Sequence, residues 1–365
     1  MDIAFKYRLV ILFFISLIAT ISVFFPILKI AKEKNIVDNP EARKLQKTPI
    51  PVMGGIAVFF GIVVGACFYK TMISYTVLFP VIGVMTIMLY LGSIDDILAI
   101  KPSVRILVEI VAAILLIYGL KARICNFQGL FGIDRMSFGW SIFLSVLTFL
   151  AIVNSINLID GVNGLSSGFC ILSLGFMGVP CFLAHQYSFA VLSAVGIGAL
   201  VPFFFFNVFG KKTKMFIGDG GTLMMGTAIS AMVFVLLGNN FEYAECPELD
   251  FSRIAYVVAV LSVPLADTLR LIVTRLANGQ SPFKADNRHL HHIFLSLGCS
   301  HLLTTAIELF LDLVSIAALM LAWRCGASVE GQLLAVIVTA GLLNWALAPI
   351  LRAIASKSRK QCTTS

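Results

Sequence analysis

The sequence predicts an all-α, polytopic membrane protein. Three observations carry this. Of 365 residues, 59% are hydrophobic and only 13% are charged, where a soluble domain has about 25% charged. Mean hydropathy is +0.96. Apolar runs long enough to cross roughly 30 Å of hydrocarbon recur along the whole chain.

About eleven transmembrane helices are expected, in one domain covering 1–365. The first run, 9–28, is too long for a signal-peptide core and lacks a small-residue cleavage pattern. It ends in Lys29, Lys32 and Lys34, so it reads as a retained span. The second, 52–69, follows a basic loop, and the third, 76–94, closes on "GSIDDI". The fourth covers 104–120. The fifth and sixth, 140–158 and 165–183, are divided only by the polar stretch "NSINLIDGVNGL". The seventh, 188–208, ends before Lys211, Lys212 and Lys214, and the eighth, 221–238, opens on "FIGDGGTL". The ninth to eleventh cover 254–274, 302–323 and 331–351. No repeat, low-complexity tract or soluble linker interrupts them. Eight cysteines are scattered without a CxxC pair. Cys125, Cys246 and Cys325 fall in loops, but their spacing argues for no disulfide.

Orientation follows the Lys and Arg of the loops. One side carries nineteen of the 27 basic residues. That side is expected to be cytoplasmic, with the N-terminus outside and the C-terminus inside. The net charge of +8 is explained by positive-inside loops and anionic headgroups, so it calls for no nucleic acid.

All the polar motifs fall on the basic side. Asn154, Asn157, Asp160 and Asn163 recur every third residue, which on a continuous helix makes one slanting stripe. Asp95 and Asp96 are either a solvated helix end or a pair suited to a divalent cation that also binds phosphate. Lys101 and Arg105 lie close enough to attract phosphate. Asp219 follows a Gly and precedes two more, at a helix start. This is either a capped turn or an anion-binding backbone. "NRHLHH" holds His289, His291 and His292, with Arg275, Lys284, Asp286 and Arg288 around them. It lacks the i, i+4 pair of a helical zinc site, although zinc stays open. Histidines beside arginines suit hydrogen-bond donation to phosphate and proton shuttling. Glu109, Glu308 and Asp312 fall inside spans, where acids are functional candidates by default.

Together these segments resemble the polyprenyl-phosphate N-acetylhexosamine-1-phosphate transferases. The likeness runs from "RKLQKTPIPVMGG" through "GSIDDILAIKPSVR", "NSINLIDGVNGL" and "FIGDGGTL" to "PFKADNRHLHH". The "HLHH" form is more similar to the branch that uses UDP-N-acetylglucosamine than to the phospho-N-acetylmuramoyl-pentapeptide branch. Two positions depart from the family pattern. Members usually carry His where this chain has Gln46, and often Asp where it has Asn163.

The resemblance implies transfer of a sugar 1-phosphate from a UDP-sugar to undecaprenyl phosphate with release of UMP. It places this at the cytoplasmic face of a bacterial inner membrane, in cell-envelope polysaccharide synthesis. It implies Mg²⁺ or Mn²⁺ as cofactor and leaves room for a homodimer. Asp219 and Asp96 are the implied metal ligands. Asp95 or Asp96 would deprotonate or position the lipid phosphate, and Asp160, His291 and His292 complete the implied catalytic set. Asn157, Asn163, Phe216, Arg275, His289, Lys101 and Arg105 would bind substrate, with Phe216 on the uracil. The competing class, an ion-coupled transporter, would put its polar groups near the bilayer midplane.

Overall fold

The structure is a computed structural model and describes residues 2–38, 49–69, 72–238, 250–281 and 288–351. Gln46, Cys246, Lys284 and Asp286 lie outside the described residues.

Helices dominate. In chain order they are α1 (Asp2–Glu33), α2 (Gly54–Cys67), α3 (Met72–Leu98), α4 (Pro102–Leu120), α5 (Phe138–Leu158), α6 (Leu165–Leu183) and α7 (Tyr187–Phe209). Then come α8 (Gly218–Leu236), α9 (Arg253–Val260), α10 (Ser262–Ala277), α11 (Leu290–Ser296), α12 (His301–Arg324) and α13 (Val329–Gly341). A π turn, Leu342–Ala346, extends α13. Two small antiparallel ribbons complete the description: β1 (Val37–Asp38) with β2 (Ile50–Pro51), and β3 (Asn126–Leu130) with β4 (Ile133–Arg135). Among the described residues, nine helices are long and apolar enough to cross a membrane.

Two expected spans take other forms. The second is realised as α2, with 14 residues. At 1.5 Å per residue it is about 21 Å long, short of the hydrocarbon thickness. The ninth is broken into α9 and α10, which meet at 77°. Pro264 causes the break, because it has no N–H to continue the ladder from α9. Asp312 of α12 repairs the exposed helix start. Its Oδ1 accepts from Ser262 Oγ at 2.8 Å and from the Val263 N–H at 3.1 Å. That gives a role to an intramembrane acid whose purpose the sequence leaves open.

The core is centred on α8, which packs against α3, α5, α2 and α6. Nearly all of its residues are buried. Without a hydrophobic driving force between helices in lipid, close backbone approach supplies the packing. Gly220 lies against Ser93 and Leu89 of α3, and Gly221 against Gly55 of α2. A methyl group at any of these glycines would collide with backbone. Tight packing here aligns the N-terminus of α8 with the C-terminus of α3.

Cys125 is buried and Cys325 is exposed.

Candidate active site

The ends of four helices meet at one end of the bundle. These are the C-termini of α3 and α5 and the N-termini of α4 and α8. Arg105, in the first turn of α4, joins them. Its Nη1 donates to Asp95 Oδ2 at 2.9 Å and to Asp219 Oδ2 at 3.2 Å. Its Nη2 donates to Asn157 Oδ1 at 3.0 Å and to Asn154 Oδ1 at 3.4 Å. Its Nε donates to Glu109 Oε1 at 3.1 Å. The planar fork of a guanidinium suits this sharing, since each N–H has a fixed direction.

The amides complete the network. Asn157 Nδ2 donates to Asp219 Oδ1 at 2.8 Å and to Thr222 Oγ1 at 2.9 Å. Asn154 Nδ2 donates to Glu109 Oε2 at 2.7 Å. Asp219 lies within the first turn of α8 and not at its N-cap, which is Ile217 and makes no side-chain cap of its own. Asp96 of α3 supplies one instead, accepting from the Asp219 N–H at 3.2 Å. Gly218, with φ +75°, has no side chain to keep the Asp96 carboxylate away.

Three carboxylates, Asp95, Glu109 and Asp219, thus face one guanidinium, and a fourth, Asp96, lies against the Asp219 backbone. This formal excess of negative charge suits a hard divalent cation held by one or two carboxylates and the phosphates of a ligand. The zinc alternative fits less well. The three histidine rings of "HLHH" pack on one another: His289 stacks on His291 with centroids 5.4 Å apart and planes at 8°, and His292 lies tilted at 45° against His291 at 4.4 Å. Among the described residues no group of three or more His, Cys, Asp or Glu is arranged to hold a metal ion of any kind, so a cation at the acid cluster would take its remaining ligands from substrate phosphates and water.

The expected stripe is only half helical. Asn154 and Asn157 lie on α5, which ends at Leu158. Asp160 and Asn163 belong to the turn that follows, and Gly164, with φ +79°, lets the chain enter α6. The turn is tied down from several sides. Ser166 Oγ donates to Asp160. The Gly164 N–H donates to Asn207 Oδ1 at 2.7 Å, and Asn207 donates to Met215 O at 2.9 Å. Asn163 uses its backbone, donating to His301 Nδ1 at 3.4 Å and accepting from Thr305 Oγ1 at 3.0 Å. Burial is the main reason that the Asp160 carboxyl is pushed up to about 8. The fields of Asp219 and Asp96 add to this, and the Ser166 bond opposes it.

The histidines meet this turn. A methyl group on Gly161 would come within 2.8 Å of His291 Nε2. Burial, with His292 and His289 alongside, holds His291 well below the usual imidazole range. Phe216 lies on the other flank. Its backbone bonds Pro51 O at 2.8 Å and the Gly54 N–H at 2.9 Å, which brings the "IPVMGG" loop to the site. Lys214 Nζ sits 5.8 Å from the Phe216 ring centroid, within cation–π range.

The structure therefore gathers Asp95, Asp96, Arg105, Asn157 and Asp219 in one bonded cluster, with Asp160 within electrostatic reach. His289, His291 and His292 adjoin the Asp160 turn. Arg275 is buried in the last turn of α10. Lys101 is exposed one turn before Arg105 and stands outside the bonds of the cluster. Sequence reasoning missed the Asp267–Arg270 pair, Thr222, Ser166 and His301. An acid and a base three residues apart inside an apolar run were the available signal for the first pair.

Carboxylates, amides and histidines thus gather at one end of a helical bundle with nine candidate membrane spans among the described residues, and comparison with known proteins gives the class as a membrane transferase. Residues 78–237 match Glycosyl transferase family 4. The chain is 31% identical over 318 residues to the probable undecaprenyl-phosphate N-acetylglucosaminyl 1-phosphate transferase of Bacillus subtilis, covering 86% of this chain and 85% of the relative. It is 28% identical over 315 residues to the undecaprenyl-phosphate alpha-N-acetylglucosaminyl 1-phosphate transferase of Escherichia coli K12, covering 84% and 80%. The protein of the same name in Yersinia pestis is 28% identical over 300 residues, covering 80% and 77%. The chain belongs to this family of membrane sugar-1-phosphate transferases. It is a phosphotransferase that passes a sugar phosphate to a polyprenyl phosphate lipid.

Proposed function

We propose that the enzyme transfers N-acetylglucosamine 1-phosphate from UDP-N-acetylglucosamine to undecaprenyl phosphate, releasing UMP, at the cytoplasmic face of a bacterial inner membrane. This is the first membrane step of a cell-envelope polysaccharide. The observation that carries the reading is Arg105, which holds Asp95, Asp219 and Asn157 in one cluster at one end of the bundle. A nucleotide sugar from water and a lipid confined to the membrane can meet only at such an end. The sugar follows the names of the relatives. The cytoplasmic face follows the excess of Lys and Arg on that side.

In the reaction a lipid phosphate oxygen attacks the β-phosphorus of the UDP-sugar. A new phosphoanhydride forms as the bond to UMP breaks, so no outside energy source is needed. Asp96 and Asp219 would hold Mg²⁺ or Mn²⁺, which supplies charge stabilisation for the two anionic substrates. Both Asp95 oxygens are engaged, one by Arg105 and the other by the Ile100 N–H at 2.8 Å. Asp96 accepts from the Asp219 N–H through Oδ1, and its Oδ2 faces Gly218, where it would orient or deprotonate the lipid phosphate. Asn157 and Arg105 orient Asp219. His289, His291 and His292, with Arg275, hold the diphosphate. Phe216 stacks on the uracil, with Lys214 beside it. Asp160 and Asn163 form the floor between nucleotide and histidines.

The test is direct. Purified protein is given undecaprenyl phosphate, Mg²⁺ and a panel of UDP-sugars, and UMP release is measured. UDP-N-acetylglucosamine should be the best donor, with no release when Mg²⁺ is chelated. Release from a different UDP-sugar alone would overturn the sugar assignment, and release unaffected by chelation would overturn the metal.

A further inference from the structure

A second buried ionic network lies beside the histidines. Asp267 of α10 is 1% exposed and His289 is 4% exposed. His289 Nδ1 stands 2.7 Å from Asp267 Oδ2. Asp267 Oδ1 accepts from Arg270 Nη2 at 2.5 Å and from the Leu290 N–H at 3.2 Å. Arg270 Nη2 also donates to the Arg288 carbonyl at 2.8 Å. One carboxylate thus joins α10 to the start of α11.

The Arg270 guanidinium and the Leu290 N–H both donate to Asp267, and a carboxylate paired with a guanidinium is ionised and only accepts. The proton between the pair therefore sits on His289 Nδ1. A carboxylate on one ring nitrogen fixes both the tautomer and the ring plane, as it does for metal-bound and general-base histidines. His289 is also the base of the ring stack. His291 lies parallel to it, and His291 reaches Gly161 in the Asp160 turn. A tilt of His289 would carry through to His291 and His292.

We propose that Asp267 is a positioning residue for the transfer: it fixes the tautomer and plane of His289 and, through that ring, sets the three-histidine cluster against the diphosphate. This rests on the reading that the histidines meet the diphosphate. The alternative is that Asp267 only ties α10 to α11.

Two measurements test it. The chain has five histidines, so selective ¹⁵N-histidine labelling in detergent gives a simple spectrum, and His289→Gln assigns the resonance. In the wild type, His289 should carry its proton on Nδ1, and Asp267→Asn should move that signal. A neutral His289 protonated only at Nε2 would overturn the proposal whatever the enzyme transfers, so this outcome is separate from failure of the proposed function. It also needs no variant at Asp267 to fold.

The second measurement is a double-mutant cycle on UMP release. Asp267→Asn should lower turnover on the order of 10–100-fold, the range seen when an orienting carboxylate is lost. Asp267→Glu, which keeps the carboxylate, should recover part of it. In a His289→Gln background the same Asp267→Asn change should cost less than about twofold, because the two act as a unit. Equal losses in both backgrounds would reduce Asp267 to a structural tie.

Discussion

The side-chain amide of Asn157 donates to Asp219 Oδ1 at 2.8 Å, although 62 residues separate them in the chain. Arg105 takes the other oxygen at 3.2 Å. The carboxylate is held from both sides by donors on two other helices. Its direction is therefore set before any substrate arrives, which is how an electrostatic site avoids reorganisation during reaction.

Asp219→Asn keeps the shape and removes the charge. The new amide also brings an N–H₂ group to face either Asn157 or Arg105, which are both donors there. Turnover should fall about 10²–10³-fold, the usual effect of removing one preorganised electrostatic contact. Dependence on added Mg²⁺ should weaken, and the protein should remain folded by thermal shift. Turnover near that of the wild type at saturating Mg²⁺ would sink the metal-ligand role.

Arg105→Lys keeps a positive charge but loses the fork. A single ammonium cannot reach Asp95, Asp219, Asn157 and Glu109 in their present directions. Turnover should drop at least about 10²-fold, comparable with loss of a key electrostatic donor. Arg105→Ala should in addition lower stability by roughly 3–5 kcal/mol, because it leaves buried acids without their cation. Denaturation in detergent and UMP release measure the two effects separately. A fully active Lys variant would show that charge alone suffices.

Asn163→Asp should stay active. The turn uses the backbone N–H and C=O of this residue, bonded to His301 and Thr305, so the added charge leaves those ties intact. Turnover within about fivefold of wild type, roughly 1 kcal/mol, is expected. Complete inactivation with normal folding would mean that the neutral side chain itself contacts substrate.

Asp160 makes stability depend on pH. Its carboxyl is pushed up to about 8, chiefly by burial, against about 3.9 in an unfolded chain. The fold therefore favours the protonated form. That contribution is complete below about pH 4 and is lost as pH rises to about 8. Asp160→Asn stays neutral and can still accept from Ser166. Without substrate or Mg²⁺, the melting temperature of the variant should gain on wild type steadily from about pH 5 to about pH 8. A gap that stays flat over this range contradicts the burial of Asp160.

Sidedness can be read with single cysteines in a background lacking the native ones. Asn35→Cys, Leu98→Cys and Thr213→Cys should react with an impermeant thiol reagent only from the cytoplasm. Phe131→Cys, at the exposed tip between β3 and β4, should react only from outside. Labelling of Leu98→Cys from outside would invert the site.

The sequence by itself determined the membrane class, the positions of most helices and the polar segments that build the site. Hydropathy is a sum over neighbours in the chain, so a span shows itself without knowledge of its partners. Asp95, Asp96, Asn157, Asp219 and "HLHH" stood out for the same reason, as polar groups that an apolar chain would otherwise exclude. Only the tertiary structure decided which of them meet. Arg105 reaches Asp219 across 114 positions because Gly92, Gly220, Gly55 and Gly221 let α2, α3 and α8 pack backbone to backbone. The repair of the α9–α10 break by Asp312 and the Asp267–His289 bond were equally hidden. Each depends on a donor and an acceptor within about 3 Å, and that distance is fixed by helix packing, to which local composition is blind.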